Sequence, residues 1–252
     1  MQRGSVSFPA AVILGLLVGA GAATGGYFVG KGFYLGRRAE RYVTVKGLVE
    51  RNVKADLAVW KLRFSATGAD IATVSAASDH ERDLVRAFIS KAGFTDKEVT
   101  TLPTRVTDRF ANPYAPPNIS PSRRYVITGG FEIRTSRVDL VRKASQTTGD
   151  LIREGVVLGG SEFQGSANPA YLFTQLNEIR PAMLAQATKS ARAVAEQFAA
   201  DSHSRLGPIR RASQGVFQIM SRDAETTNTM EERESVDKKI RLVSTVEFYL
   251  ID

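Results

Sequence analysis

Ala58-Val59-Trp60-Lys61-Leu62-Arg63-Phe64-Ser65-Ala66 alternates without a break: Ala58, Trp60, Leu62, Phe64 and Ala66 fall on one side, and Val59, Lys61, Arg63 and Ser65 on the other. Successive side chains of a strand point to opposite faces, so this is a half-buried strand. From about Asp70 the spacing lengthens to a helical period. Ile71, Val74, Ala77, Leu84, Val85, Phe88 and Ala92 share a face, and Gly93 supplies the stop. Glu98 to Thr107 returns to strand. Tyr125, Ile127, Phe131 and Ile133 alternate with Thr128, Glu132 and Arg134 in another strand, then Val138 to Arg153 is helical and Val156 to Phe163 is strand. Residues 55–166 thus spell strand-helix-strand-strand-helix-strand. This is the split βαβ or ferredoxin-like arrangement, one antiparallel sheet covered by two helices.

Working outward, Tyr42 to Val49 is a β-branched strand ending near a turn at Arg51-Asn52. Pro113, Pro116, Pro117 and Pro121 mark Phe110 to Pro121 as an exposed loop, in which Asn118-Ile119-Ser120 has the form of a glycosylation sequon, a pattern that arises readily by chance. A long helix is expected from about Tyr171 to Asp201, with Ile179, Met183, Ala187, Ala191, Val194 and Phe198 on one side and a kink or restart at Pro181. Two last strands, Ile209 to Met220 and Lys239 to Leu250, enclose Asp223 to Lys238, whose charge and low apolar content predict a mobile loop.

The N-terminus carries no charge from Gly4 to Gly30, longer than the roughly 20 residues that cross a bilayer. At about 100° per residue, Ala11, Gly15, Gly19, Ala22, Gly26 and Gly30 lie within about a third of the circumference, a face that lets two helix backbones approach closely. Gly15, Gly19, Ala22, Gly26 and Gly30 are the candidate helix-packing residues. Lys31, Arg37, Arg38 and Arg41 follow as candidate lipid-headgroup contacts. A cleaved secretory signal is the competing reading, with Ala20-Gly21-Ala22 as a cleavage site; apolar character persisting through Phe33-Tyr34-Leu35 favours a retained anchor. The cations after the helix, read by the positive-inside rule, keep the large domain cytoplasmic.

The expected architecture is therefore α+β. A transmembrane helix and juxtamembrane link (1–38) precede one domain (39–252). That domain holds the ferredoxin-like part over 55–166, and the long helix with a C-terminal strand hairpin over 167–252.

Four of the formal +8 charges sit in the first 38 residues, so the remaining 214 carry only a modest +4, too dispersed for a nucleic-acid stripe. With no cysteine there is neither disulfide nor thiol chemistry. The two histidines, His80 and His203, lie on separate expected helices. Asp79-His80-Glu81-Arg82-Asp83 reads as a solvated face, because consecutive helical side chains point about 100° apart and do not converge on a metal. His203 reads as a helix-end cation. Gly-x-Ser-x-Gly, phosphate-loop, dinucleotide and paired-histidine signatures are missing, and Gly129-Gly130 and Gly159-Gly160 read as bulges or close backbone approaches within strands. No catalytic, cofactor-binding or metal-binding residue is assigned.

Arg41 to Asp252 resembles the SIMPL-domain family of bacterial envelope proteins, which includes periplasmic oxidative-stress-defence proteins and a periplasmic immunogenic antigen. The likeness rests on Val43-Thr44-Val45-Lys46-Gly47, on Leu84-Val85-Arg86-Ala87-Phe88 through Gly93-Phe94 to Val99-Thr100-Thr101, and on an alanine-rich helix, Ala187 to Ala200, running into Leu206-Gly207-Pro208-Ile209. The resemblance implies a non-enzymatic α+β envelope protein forming a ring or channel-like homo-oligomer, and a domain on the periplasmic side of the inner membrane. Scaffolding or enclosing other membrane proteins, and a link to oxidative stress, follow from it as expectations; no nucleic-acid partner is expected. Two other classes stay open: a hydrolase with a site between the helical layers, and a module binding anionic lipid or nucleic acid.

Overall fold

The computed structural model describes residues 8–38, 41–111, 120–159, 168–224 and 229–251. Along the chain its elements are α1 (Phe8–Arg38), β1 (Tyr42–Lys54), β2 (Leu57–Gly68), α2 (Ile71–Lys91), β3 (Val99–Asp108), β4 (Tyr125–Thr135), α3 (Val138–Ser145), α4 (Gly149–Arg153), β5 (Ala170–Leu172), α5 (Leu176–Asp201), β6 (Arg205–Gln214), β7 (Gln218–Ser221), α6 (Thr229–Glu234) and β8 (Asp237–Ile251). They form two compact units. One comprises Met1–Val49, Leu184–Val216 and Val243–Asp252; the other comprises Glu50–Met183 and Phe217–Leu242.

In the second of these units the sheet order is β3-β4-β2-β5, every neighbour antiparallel, which is the ferredoxin-like order. The alternation of β2 fixes which face is dry: Ala58, Trp60, Leu62, Phe64 and Ala66 are buried, and Phe131 and Ile133 of β4 join them. Trp60 meets Phe88 of α2 edge-on, with ring centroids 6.4 Å apart. Helix α2 starts where Asp70 caps it, its carboxylate accepting from Thr73 N at 2.9 Å. Its buried stripe is Val74, Ser78, Val85 and Ile89, with Leu84, Phe88 and Ala92 beside it. Ile71 and Ala77 are exposed, contrary to expectation; Ile71 lies in the first turn and Ala77 is about 100° around from Ser78.

Several other expectations are corrected here. The described part of Val156 to Phe163, residues 156–159, makes an isolated bridge and no strand. Val157 O accepts from Ser65 N at 3.2 Å and Gly159 N donates to Arg63 O at 2.9 Å, giving a bridge of Leu158 to Phe64. Gly159 then turns to φ +120°, outside strand geometry. The fourth strand is β5, paired with Leu57–Val59, so Tyr171 is strand and the long helix begins at Leu176. That helix runs through Pro181 without a restart. The helix expected over Val138 to Arg153 is broken between α3 and α4, and β1 continues past Arg51-Asn52 to Lys54. The expected mobile loop Asp223 to Lys238 contains α6 and ends on a buried side chain, Lys238. Most of the Phe110 to Pro121 loop, with Asn118, and also Gly160 lie outside the described residues. Its base is tied by Arg124, which donates from Nε and Nη2 to the Asp108 carboxylate at 2.9–3.2 Å.

In the other unit β8 is central, with β1 on one side and β6 on the other. Leu250 N donates to Arg41 O at 2.9 Å where β1 begins. Val45, Val246 and Phe248 form a core with Ala191 and Ala195 of α5. The buried stripe of α5 here is Ala187, Ala191, Ala195 and Ala199, four residues apart. Val194 and Phe198, expected on that face, are 40% and 54% exposed. The alanine row, being the flattest side of the helix, is the one that packs on the strands. The single strand expected over Ile209 to Met220 is two strands, β6 and β7, pairing successive parts of β8.

Candidate functional site: the apolar helix and its root

Val12–Phe33 of α1, 22 residues, is long and apolar enough to cross a membrane, and none of it is buried. At 1.5 Å per residue it is about 33 Å long, close to a hydrocarbon core of about 30 Å. Thr24, inside the span, donates its hydroxyl to Ala20 O one turn back and so carries no unsatisfied proton into an apolar medium. Tyr27 packs edge-on against Phe28, and Lys31 Nζ lies 5.7 Å over the ring of Tyr27, four residues before it. Gly15, Gly19, Gly26 and Gly30 have nothing within 4 Å of where a Cβ would be, and Ala22 is exposed. The small-residue face is therefore unfilled by the described residues of this chain. The side chains of Ala11, Arg37 and Arg38 lie outside the described residues.

Arg41, the fourth expected headgroup contact, stands at the root of β1. Its Nη2 donates to Ser204 Oγ at 3.3 Å, just past the end of α5. Register places Arg205 opposite Ile251, and Leu206 opposite Leu250. His203 takes φ +54°, the left-handed turn that ends α5, with its N–H donating to Ala200 O at 3.0 Å. The start of β1, the end of α5, the start of β6 and the end of β8 thus meet at one end of their unit. Sequence reading found Arg41 and missed Arg205 and Ile251, because only strand register brings them beside it.

The other candidates for chemistry are dispersed. His80 is exposed on α2, and Asp79 pairs with Arg82 at 2.9 Å, one solvated face as expected. Glu81 departs from that reading: it is half-buried, desolvation pushes its carboxyl above the ordinary value, and one of its oxygens has no partner among the described residues. Gly130 is a close backbone approach, a Cβ there falling 2.5 Å from Leu62 O, whereas a Cβ on Gly129 would meet the Phe64 ring. A shallow groove of about 340 Å³ lies between α3, β5 and the start of β8, lined by Arg142, Ser145, Tyr171, Glu234 and Asp237 among others. Burial pushes the Tyr171 phenol up while its hydrogen bond with Ser145 opposes that. Among the described residues no group of three or more His, Asp or Glu side chains is placed to hold a metal ion.

Lys238 is 1% exposed on the inward face of β8, and its Nζ donates to Glu232 O of α6. Desolvation pulls its ammonium below the ordinary lysine value, against the opposing pull of Glu232. The sequence carried a signal for it: Lys238 is in phase with Ile240 and Leu242.

The SIMPL profile, described as a protein of unknown function (DUF541), matches residues 43–248. The chain belongs to the SIMPL family. A search of curated proteins finds no match. The SIMPL match begins at the second residue of β1 and ends within β8, so it takes in both units and leaves α1 outside the matched residues. The pieces that carried the resemblance, Val45 to Gly47 and the alanine row of α5, are packing partners in the SIMPL fold.

Proposed function

We propose that this chain is a membrane-anchored, non-enzymatic envelope protein whose SIMPL domain forms a homo-oligomeric ring or channel-like assembly around or beside other membrane proteins, with α1 retained as a single inner-membrane span. The observation that carries this reading is the small-residue face of α1: an apolar helix of spanning length with Gly15, Gly19, Gly26 and Gly30 open to close approach by another helix. Copies held in one ring place their anchors at high effective concentration, which strengthens weak helix contacts. Family membership supports an envelope location; the periplasmic side, against the cations that follow the span, and a role in envelope or oxidative-stress defence are parts of this proposal.

Blue-native electrophoresis of the detergent-solubilised full chain tests it, with Gly19→Ile and Gly26→Ile beside wild type. The expected result is an oligomer that loses subunits or stability in the two variants. A wholly monomeric wild type removes assembly; an unchanged oligomer removes the part of the helix face. A reporter active only outside the cytoplasm, fused after Asp252, tests the membrane side.

A further inference from the structure

We propose that the groove between α3, β5 and the start of β8 binds a small apolar zwitterion, an α-amino acid or a short peptide, with its carboxylate on Arg142 and its ammonium on Glu234 and Asp237. The inference is independent of α1 and of assembly. Every residue it uses lies in the unit that comprises Glu50–Met183 and Phe217–Leu242.

The groove has the build of a small-ligand site. Its volume of about 340 Å³ stands at the lower end of the roughly 300–1,000 Å³ of ligand pockets, which limits the occupant to a small molecule. Pro169, Tyr171 and Val236 line it and are buried, so its floor is apolar. That floor is fixed before any ligand arrives. Tyr171 pairs with Ala58 across the β2–β5 ladder, Val236 O accepts from Ala55 N at 2.9 Å, and Ser235 Oγ donates to Asp237 O at 2.6 Å. Binding therefore has little ordering to accomplish.

The charges stand on opposite walls, Arg142 on α3, and Glu234 and Asp237 at the end of α6 and the start of β8. Among the described residues no ion pair spans the groove, so the two signs face each other across it. Arg142 engages only Nη2, on Asp139 of its own helix at 3.0 Å, and that carboxylate is shared with Lys54. Glu234 is exposed and has no ion pair among the described residues, and Arg222 reaches Asp237 only at 3.6 Å. Neighbours in sequence preserve both signs: Lys143 adjoins Arg142, Glu231 and Glu232 accompany Arg233 ahead of Glu234, and Lys238 is turned inward beneath α6. A lone anion would meet the two carboxylates, and a lone cation the guanidinium. A molecule carrying both charges satisfies both walls at once, while its apolar side chain covers the floor.

Isothermal titration calorimetry of the detergent-solubilised full chain with leucine and with leucyl-leucine tests this, the tighter of the two naming the source. Beside them stand 3-methylbutylamine, which is leucine without the carboxylate, 4-methylpentanoate, which lacks the ammonium, and glycine, which lacks the side chain. The expected result is saturable one-site binding of the zwitterions, with each truncated compound about ten-fold weaker or more, the worth of one charge-assisted hydrogen bond. Arg142→Gln should weaken leucine about ten-fold and leave the amine unchanged; Glu234→Gln should weaken leucine by about as much and leave the acid unchanged. Both side chains are exposed, so the urea midpoint of each variant should match wild type. That crossed pattern separates contact with the ligand from damage to the fold. No saturation by either zwitterion at tens of millimolar overturns the inference. Amine binding as tight as leucine, or both variants weakening amine and acid alike, overturns it too.

Discussion

Gly47 and Ala187 meet backbone to backbone: a Cβ on Gly47 would stand 1.9 Å from the Ala187 carbonyl oxygen and 2.8 Å from the Ala191 nitrogen. The close approach of β1 to the alanine row of α5 therefore needs both a glycine in the strand and small residues in the helix. Gly47→Ala must push the two elements apart. Overpacking a core costs about 1–3 kcal/mol, and backbone cannot swing aside as a side chain can, so a loss of about 3 kcal/mol or more is expected. Gly93→Ala is the control: nothing lies within 4 Å there, and only its φ of +90° opposes a side chain. That strain is about 1–2 kcal/mol. Urea unfolding at fixed m reads both; equal losses would show that the Gly47 contact has room to give.

Gly129 faces Phe64 across the β2–β4 ladder, and a Cβ there would fall 2.7 Å from the Phe64 ring. Here the obstacle is a side chain, so shrinking it should help. Gly129→Ala is expected to destabilise, and Phe64→Leu in the same chain to cost less than the two single losses added together. Coupling between touching residues runs about 0.5–3 kcal/mol, and about 1 kcal/mol or more is expected from the double-mutant cycle. Simple additivity would contradict the contact.

Much of this fold was legible because alternation is a local signal. Trp60, Leu62 and Phe64 declare their face within nine residues, and the ferredoxin-like order of β2 to β5 followed from counting elements. The errors lie where a tertiary fact decides. Nothing in Val156 to Phe163 announces that Gly159 will leave strand geometry, so the fourth strand was placed too early. On α5, hydrophobicity pointed to Val194 and Phe198, whereas the close approach of β1 selects the alanine row through Ala187 and Ala191. Of the candidate site, the small-residue face of α1 was readable from period alone; the neighbours of Arg41 were not, since Arg205 and Ile251 reach it through strand register. Lys238 shows the opposite failure. Its phase with Ile240 and Leu242 was visible, but the charged composition of Asp223 to Lys238 outweighed it.

Glu98 joins the end of α2 to the start of α3. Its carboxylate accepts from Thr95 N at 2.9 Å, Thr95 Oγ1 at 2.7 Å, Arg137 Nε at 3.0 Å, and also Thr135 Oγ1 and Arg137 Nη2. The Arg137 guanidinium, aided by Thr135 and Thr95 against the cost of desolvation, holds this carboxyl well below the usual range. A carboxylate with a depressed folded value contributes its full stability above its unfolded value and loses it as pH falls through the folded one. Glu98→Gln should therefore cost about 2 kcal/mol at pH 7, the worth of a charge-assisted hydrogen bond. The gap to wild type should shrink steadily below the ordinary glutamate range. Urea midpoints at pH 7 and pH 3 check this; a gap of the same size at both would mean that the ionised form is not what the fold stabilises.

Lys238 carries the reverse sign. Its ammonium is desolvated beneath α6, so the fold disfavours the charged form, and that penalty is complete below the depressed folded value. As pH rises from there towards the ordinary lysine value the penalty is relieved, because the side chain becomes a neutral amine in the fold before it does in the unfolded chain. Lys238→Met keeps the length, removes the charge, and leaves the Glu232 carbonyl without this donor. Wild type should therefore gain stability on Lys238→Met between pH 7 and pH 10, while Lys238→Ala, which also opens a cavity, stays below both throughout. Unfolding curves of the three proteins at several pH values decide it. A wild-type advantage that fell with rising pH would mean that Lys238 is held charged in the fold, by a carboxylate partner rather than by a carbonyl.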